Sequence, residues 1–142
     1  MTAGAWTPTN STRPNLLDAL TDVDSDSYKM ALFTSASNLS PSSNTYAGLT
    51  GEVGTTNTGY STGGIAIAMT KSGTSTVTIV MTTAPVWTAG SAGLTAKWAV
   101  IYEVGGNILF YALLDSGGAD VGVTNSNTLT VGSNGATIFT LA

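Results

Sequence analysis

Residues 98–114 read Trp98-Ala99-Val100-Ile101-Tyr102-Glu103-Val104-Gly105-Gly106-Asn107-Ile108-Leu109-Phe110-Tyr111-Ala112-Leu113-Leu114. The apolar run begins at Leu94, stops at Gly105-Gly106-Asn107 and resumes from Ile108 to Leu114. Two extended segments around a Gly-Gly turn predict a β-hairpin, because such turns need residues that tolerate positive φ. In the first segment Ala99, Ile101 and Glu103 alternate with Trp98, Val100 and Tyr102. In the second, Leu109, Tyr111 and Leu113 share one face, and Ile108, Phe110, Ala112 and Leu114 share the other. Both faces are apolar, so the hairpin is expected at the centre of a sheet, covered on each side.

The same period-2 signal recurs on either side. Tyr28 to Thr34 reads as a strand, with Tyr28, Met30 and Leu32 on one face and Lys29, Ala31 and Phe33 on the other. Gly64 to Thr70 and Thr74 to Thr83 read as a hairpin around Lys71-Ser72-Gly73. Pro85 and Trp87 break out into a loop ending at Gly93. Two short strands close the chain, near Asn127 to Val131 and Ala136 to Leu141, with Ser133-Asn134-Gly135 as the turn between them. Pro14 to Leu20 predicts one or two helical turns, with Pro14 at the first position and Leu16, Leu17 and Leu20 on one side. No helix-length segment separates the strands. The expectation is an all-β chain: an antiparallel β-sandwich, jelly-roll-like, of about seven or eight strands.

Between Ser35 and Gly63 the sequence is polar and lacks periodicity. So long a connection in a compact domain is expected to be functional or disordered. Pro41, Tyr46, Leu49, Val53 and Tyr60 punctuate it, which predicts an ordered excursion lying over the body. Residues 1–13 carry Pro8 at their middle, Pro14 at their edge and Trp6 as the one large apolar side chain. They are read as an extended N-terminal arm that leaves the sandwich and packs on a neighbouring subunit, with residues 14–142 as the single domain.

Composition limits what the chain can do. Of 142 residues only four are basic and eight acidic, a formal net charge of −4, whereas 25 are Thr and 15 are Ser. Thr fits a pleated, half-buried surface. Arg13, Lys29, Lys71 and Lys97 are scattered, and a phosphate backbone needs clustered cations, so no nucleic-acid partner is expected. A surface this poor in charge is weakly protected against association and suits a protein packed against copies of itself or a larger shell. No apolar run approaches the ~20 residues of a membrane-spanning helix, so no membrane partner is expected. The first ten residues lack the basic and apolar regions of a signal peptide, which predicts synthesis in a cytoplasm.

Little in the chain points to chemistry. It has no His and no Cys, which removes the usual serine triad, thiol nucleophiles and Cys-based zinc sites. No Gly-x-Ser-x-Gly elbow on a strand-to-helix turn is present. Lys71, in a predicted turn, is expected to be solvated. Glu52 and Glu103 are the only glutamates; paired hydrolytic carboxylates would have to face each other across a sugar. Asp22-x-Asp24-x-Asp26 opens like a calcium loop, but Ser27 and Phe33 stand where an EF-hand needs Gly and Glu. What is left is an Asp-rich turn or a weak calcium site. Gly59 to Gly64 lacks the Lys and the following helix of a phosphate cradle. No enzymatic activity and no cofactor are expected.

The stretch from Thr50-Gly51-Glu52-Val53 to Gly59-Tyr60-Ser61-Thr62-Gly63-Gly64 resembles small virion structural proteins of tailed bacteriophages. So do Lys29-Met30-Ala31-Leu32-Phe33-Thr34 upstream, Pro85-Val86-Trp87 and Ala99-Val100-Ile101-Tyr102 downstream, and the ending from Gly135 to Leu141. The resemblance covers about Leu16 to Leu141. It implies a capsid decoration, or cement, protein on the capsid exterior, binding the major capsid protein as a homo-oligomer, with a trimer favoured. The alternative is a tail or head-fibre component, including a receptor- or glycan-binding module. Expected partner contacts are Trp6 on the arm and Tyr46, Tyr60 and Trp87 on loops.

Overall fold

In the computed structural model, residues 3–142 are described, and they form an all-β chain of antiparallel sheets with one short helix. Twelve strands are present: β1 (Thr7–Pro8), β2 (Tyr28–Phe33), β3 (Ile65–Ile67), β4 (Met69–Ser72), β5 (Val77–Met81), β6 (Val86–Thr88), β7 (Leu94–Ala96), β8 (Trp98–Glu103), β9 (Ile108–Leu113), β10 (Val121–Val123), β11 (Thr128–Thr130) and β12 (Ala136–Leu141). The helix α1 spans Thr12–Leu17. The excess over the expected number consists of strands of two or three residues, too short to show a period.

The strands fall into four sheets. The largest has the order β1-β9-β8-β2-β3; β12-β5-β4, β10-β7 and β11-β6 complete the set. The β8–β9 hairpin sits at the middle of the five-stranded sheet, with β2 against the free side of β8. One face of β2 and β8, carrying Tyr28, Met30, Leu32, Ala99 and Ile101, packs into the main core with Met81, Trp87, Leu94, Leu129 and Ile138 from the smaller sheets. The opposite face carries Ala31, Phe33, Val100, Tyr102 and Ile108, and Leu39, Tyr46 and Leu49 of the long 35–63 connection pack over it. Two apolar faces therefore have two covers, one made of strands and one of loop.

Three departures from simple alternation have physical causes. First, β9 does not alternate strictly. Tyr102 pairs with Ile108 and Ile101 with Phe110, so Leu109 is a bulge. The extra residue turns Leu109 and Phe110 both into the main core and leaves Ile108 under the loop. Second, the segment expected as one strand from Gly64 to Thr70 is broken at Ala68. Its first part, β3, pairs with β2 and its second, β4, with β5. The strand thus turns a corner between sheets. Third, Trp87 lies in β6, paired with Leu129, not in a loop. Its partner is 42 positions away, and no local pattern reports so distant a pairing.

The N-terminal arm does not leave the body. The Gly4 N–H donates to the Leu113 carbonyl, Thr7 pairs with Tyr111 and Pro8 with Phe110. Pro8 is compatible with a strand here because β1 is at the sheet edge. Thr9 and Thr12 are buried; their hydroxyl oxygens lie 2.9 Å apart and within hydrogen-bond reach of the β9 carbonyls of Ile108 and Leu109, to which their two protons can be donated. Two threonine hydroxyls thus hold the chain to β9 just past β1 as it turns into α1. Trp6 is partly buried against the chain's own core. Only Met1 and Thr2 of the expected arm lie outside the described residues. Pro14 is the third residue of α1, not the first, and of the three leucines only Leu16 packs on the core.

Trp6→Ala is therefore expected to destabilise the isolated chain by about 1–3 kcal/mol, less than a full core truncation because Trp6 is only partly buried. Urea unfolding with an unchanged m-value checks this; stability equal to wild type would show that residues 4–8 contribute nothing to the fold.

Candidate functional site

The most connected polar group on the long loop is Glu52. It is placed by a gap in the sheet. β3 pairs with β2 only from Tyr28 to Met30, and residues 51–53 take over beside Leu32 and Phe33. The Val53 N–H donates to the Leu32 carbonyl at 3.0 Å and the Thr34 N–H to the Gly51 carbonyl at 2.8 Å. The Leu32 N–H falls in the gap, where the Tyr60 hydroxyl accepts it at 3.1 Å. That hydroxyl donates to Glu52 Oε1 at 2.7 Å, and the Gly63 N–H donates to the same oxygen at 2.7 Å. Tyr46 donates its hydroxyl to Glu52 Oε2. The Tyr46 ring stacks on Tyr102 with centroids 4.4 Å apart, and the Tyr102 hydroxyl donates to the Gly63 carbonyl at 2.8 Å. One carboxylate thus ties three parts of the loop to β2 and β8. Gly64 completes the joint: its φ is +72°, and a β-carbon there would lie 1.8 Å from the Met30 carbonyl oxygen.

Burial, reinforced by the Glu52 charge, raises the hydroxyls of Tyr46, Tyr60 and Tyr102 above the ordinary tyrosine pKa. Tyr28 is raised as well, first by burial and then by Asp26.

The two glutamates are not brought together. Glu52 pairs with Phe33 and Glu103 with Tyr28, at opposite ends of β2. At about 3.3 Å per residue their backbones lie roughly 17 Å apart along the strand. The Glu103 side chain folds over its own turn, where a β-carbon on Gly106 would meet its carboxyl at 2.7 Å. Burial and Asp26 raise the Glu103 pKa.

The Asp-rich turn has its cation in the chain itself. Lys71, on β4 rather than in a turn but exposed as expected, sets its Nζ 2.6 Å from Asp24 Oδ2 and 3.7 Å from Asp22 Oδ1. Its own N–H donates to Asp24 Oδ1 at 3.0 Å. Asp26 Oδ2 accepts the Asp22 N–H at 2.6 Å. Among the described residues no group of three acidic side chains converges as a metal site would require. Hydrogen bonds from the Ser25 side chain and the Asp24 N–H lower the Asp22 pKa, and the Lys71 side chain lowers that of Asp24.

Of the four residues expected to meet a partner, two are in the core. Trp87 and Tyr60 are 2% and 3% exposed, stacked with centroids 6.4 Å apart, and the buried Trp87 Nε1 has no hydrogen-bond partner. Tyr46 is committed to Tyr102 and Glu52, and Trp6 to the core beneath it. Aromatic residues in a Gly- and Thr-rich loop read as exposed, yet the loop needs them as anchors on a sheet face that must be covered. Sequence reading missed the face around α1. There Leu17 and Leu20 are 78% and 67% exposed beside an apolar concavity of about 220 Å³. The helical reading puts Leu16, Leu17 and Leu20 on one side; in the structure only Leu16 packs on the core, Leu17 is exposed, and Leu20 lies beyond the end of α1.

Comparison with family models, with curated proteins and with solved structures gave no match.

Glu52→Ala is expected to cost about 2–4 kcal/mol, because it leaves the Gly63 N–H and the Tyr60 hydroxyl without their charged acceptor. Glu52→Gln, which keeps one carbonyl acceptor, is expected to cost about 1 kcal/mol. Thermal or urea unfolding of both variants checks the order; equal losses would show that the charge, and not the number of acceptors, holds the loop.

The raised tyrosines also predict alkaline behaviour. A group whose folded pKa lies above its unfolded value stabilises the fold below the unfolded value and loses that contribution as pH rises. Stability should be flat up to the ordinary tyrosine value of 10.0 and fall above it. Absorbance near 295 nm, followed with circular dichroism, should show most tyrosine ionisation coinciding with unfolding; full ionisation in a still-folded chain would contradict it.

Proposed function

We propose that this chain is a structural protein of a tailed-phage virion, a decoration protein that binds the major capsid protein on the capsid exterior. It works as a homo-oligomer that joins neighbouring capsomers, and it performs no catalysis. The observation that carries the reading is the surface. Leu17, Leu20, Val86, Val104 and Leu141 are large apolar side chains exposed on a chain with only twelve charged residues. Such a surface gains by being covered, and specific stable interfaces take about 1,200–2,000 Å² in total. The pattern from Leu16 to Leu141, which resembles small virion proteins, supports the same reading. The absence of an enzymatic role is supported by Glu52, whose oxygens are occupied by structural donors, and by its separation from Glu103.

A tail or head-fibre position differs from the capsid exterior in copy number. Quantitative mass spectrometry of purified virions is expected to find this chain in numbers comparable to the major capsid protein. A few copies per particle would move it to the tail, and none would end the virion reading.

A further inference from the structure

The connection from β11 to β12 turns at Ser133-Asn134-Gly135, and Asn134-Gly135 is the one Asn-Gly pair in the sequence. The Ala136 N–H closes the turn on the Ser133 carbonyl at 3.0 Å, with Asn134 and Gly135 at its centre. Gly135 has a φ of +77°, and a turn with positive φ at its second central position favours glycine there. That requirement has a chemical side effect. Without a β-carbon on Gly135, its nitrogen is unshielded from the side chain of the residue before it. Both residues are exposed, and a β-carbon on Gly135 would meet nothing within 4 Å. Water and base therefore reach the bond.

Two hydrogen bonds engage the groups that would react. The Gly135 N–H donates to the Met81 carbonyl at 2.8 Å, at the end of β5. Asn134 Oδ1 accepts the Ala84 N–H at 2.8 Å, from the segment between β5 and β6. The Gly135 nitrogen can attack only after losing its proton, and Met81 holds that proton. Ring closure also needs the side-chain carbon of Asn134 free to swing onto that nitrogen, and the Ala84 bond restrains it. Both bonds belong to a surface turn, which opens locally at far lower cost than the fold as a whole.

We infer that Asn134 is a spontaneous modification site of this chain, converted to aspartate and isoaspartate when the turn opens. The Gly135 nitrogen, having given its proton to base, forms a bond to Asn134 Cγ. The bond from Cγ to the side-chain nitrogen breaks, and that nitrogen takes up a proton and leaves as ammonia. A succinimide ring remains, and water opens it. Addition at the side-chain carbonyl restores the original chain with an aspartate. Addition at the main-chain carbonyl leaves the chain running through the side chain, as isoaspartate. One water is consumed, one ammonia is released, and nothing is oxidised or reduced. Aspartate keeps an oxygen for the Ala84 N–H and adds one negative charge. Isoaspartate lengthens the main chain just before Gly135, where the Met81 bond and the Ala136–Met81 pairing begin β12. The site is a property of the chain itself and does not depend on the virion reading.

The test is incubation of the full chain at mildly alkaline pH, folded in buffer and unfolded in guanidinium chloride. Peptide mapping by mass spectrometry, with aspartate and isoaspartate peptides separated, follows each asparagine in time. In the unfolded chain Asn134 is expected to be modified before every other asparagine, including Asn10 and Asn125, which precede the small Ser11 and Ser126. In the folded chain its modification should be about tenfold slower or more, because it waits for the turn to open. Asn134→Asp should melt close to wild type, whereas isoaspartate-containing chain isolated from the incubation should melt lower. An unfolded chain in which Asn134 stays intact, or in which another asparagine leads, would overturn the inference. So would equal rates in the folded and unfolded chain, because the turn would then exert no control.

Discussion

The structure depends on one constraint: the central strands β2, β8 and β9 are apolar on both faces. A sheet with one wet face needs a single cover, but here Phe33, Val100, Tyr102 and Ile108 would be left in water without a second. Strands of the smaller sheets cover the inner face. The outer face is covered by a loop, and a loop has no backbone ladder of its own. Its polar groups must be satisfied locally, and the sequence around it meets that demand. The Asn38 side chain spans the loop from the Gly48 carbonyl to the Thr50 N–H. The Ile108 N–H reaches the Asn44 carbonyl. Glu52 gathers two tyrosine hydroxyls and a backbone N–H.

This explains why the chain spends its few carboxylates as it does. Glu52 holds the cover on the sheet. Asp22 and Asp24 take up Lys71 and join the turn before β2 to β4, linking the largest sheet to the three-stranded one. Both arrangements resemble the beginnings of chemical sites: a carboxylate among tyrosines, and three aspartates in five residues. In both, the oxygens already have donors from the chain itself. Threonine plays a similar role at the N-terminus, where the Thr9 and Thr12 hydroxyls reach β9 carbonyls just past β1. The many hydroxyl residues therefore serve as backbone partners as well as an uncharged surface.

The face around α1 is different in kind. Val86 and Val104 are exposed elsewhere on the surface. At α1 the exposed Leu17 and Leu20 stand beside an apolar hollow.

The sequence by itself determined the all-β class, the central hairpin, the two faces of β2 and β8, and the tie of the 35–63 connection to the body. These follow from period-2 alternation and turn chemistry, both local properties that adjacent residues carry. The terminal strand Ala136–Leu141 was legible for the same reason. Only the tertiary structure decided the rest. The bulge at Leu109 reverses the facing of half a strand, and it exists because Tyr102 and Ile101 set the register across the hairpin. β3 and β4 part at Ala68 because their partners lie in different sheets. Trp6, Tyr60 and Trp87 were read as outward contacts, yet each packs inward against surface supplied by distant strands. Burial is a property of what arrives from elsewhere in the chain, and no window of sequence around an aromatic residue contains that information.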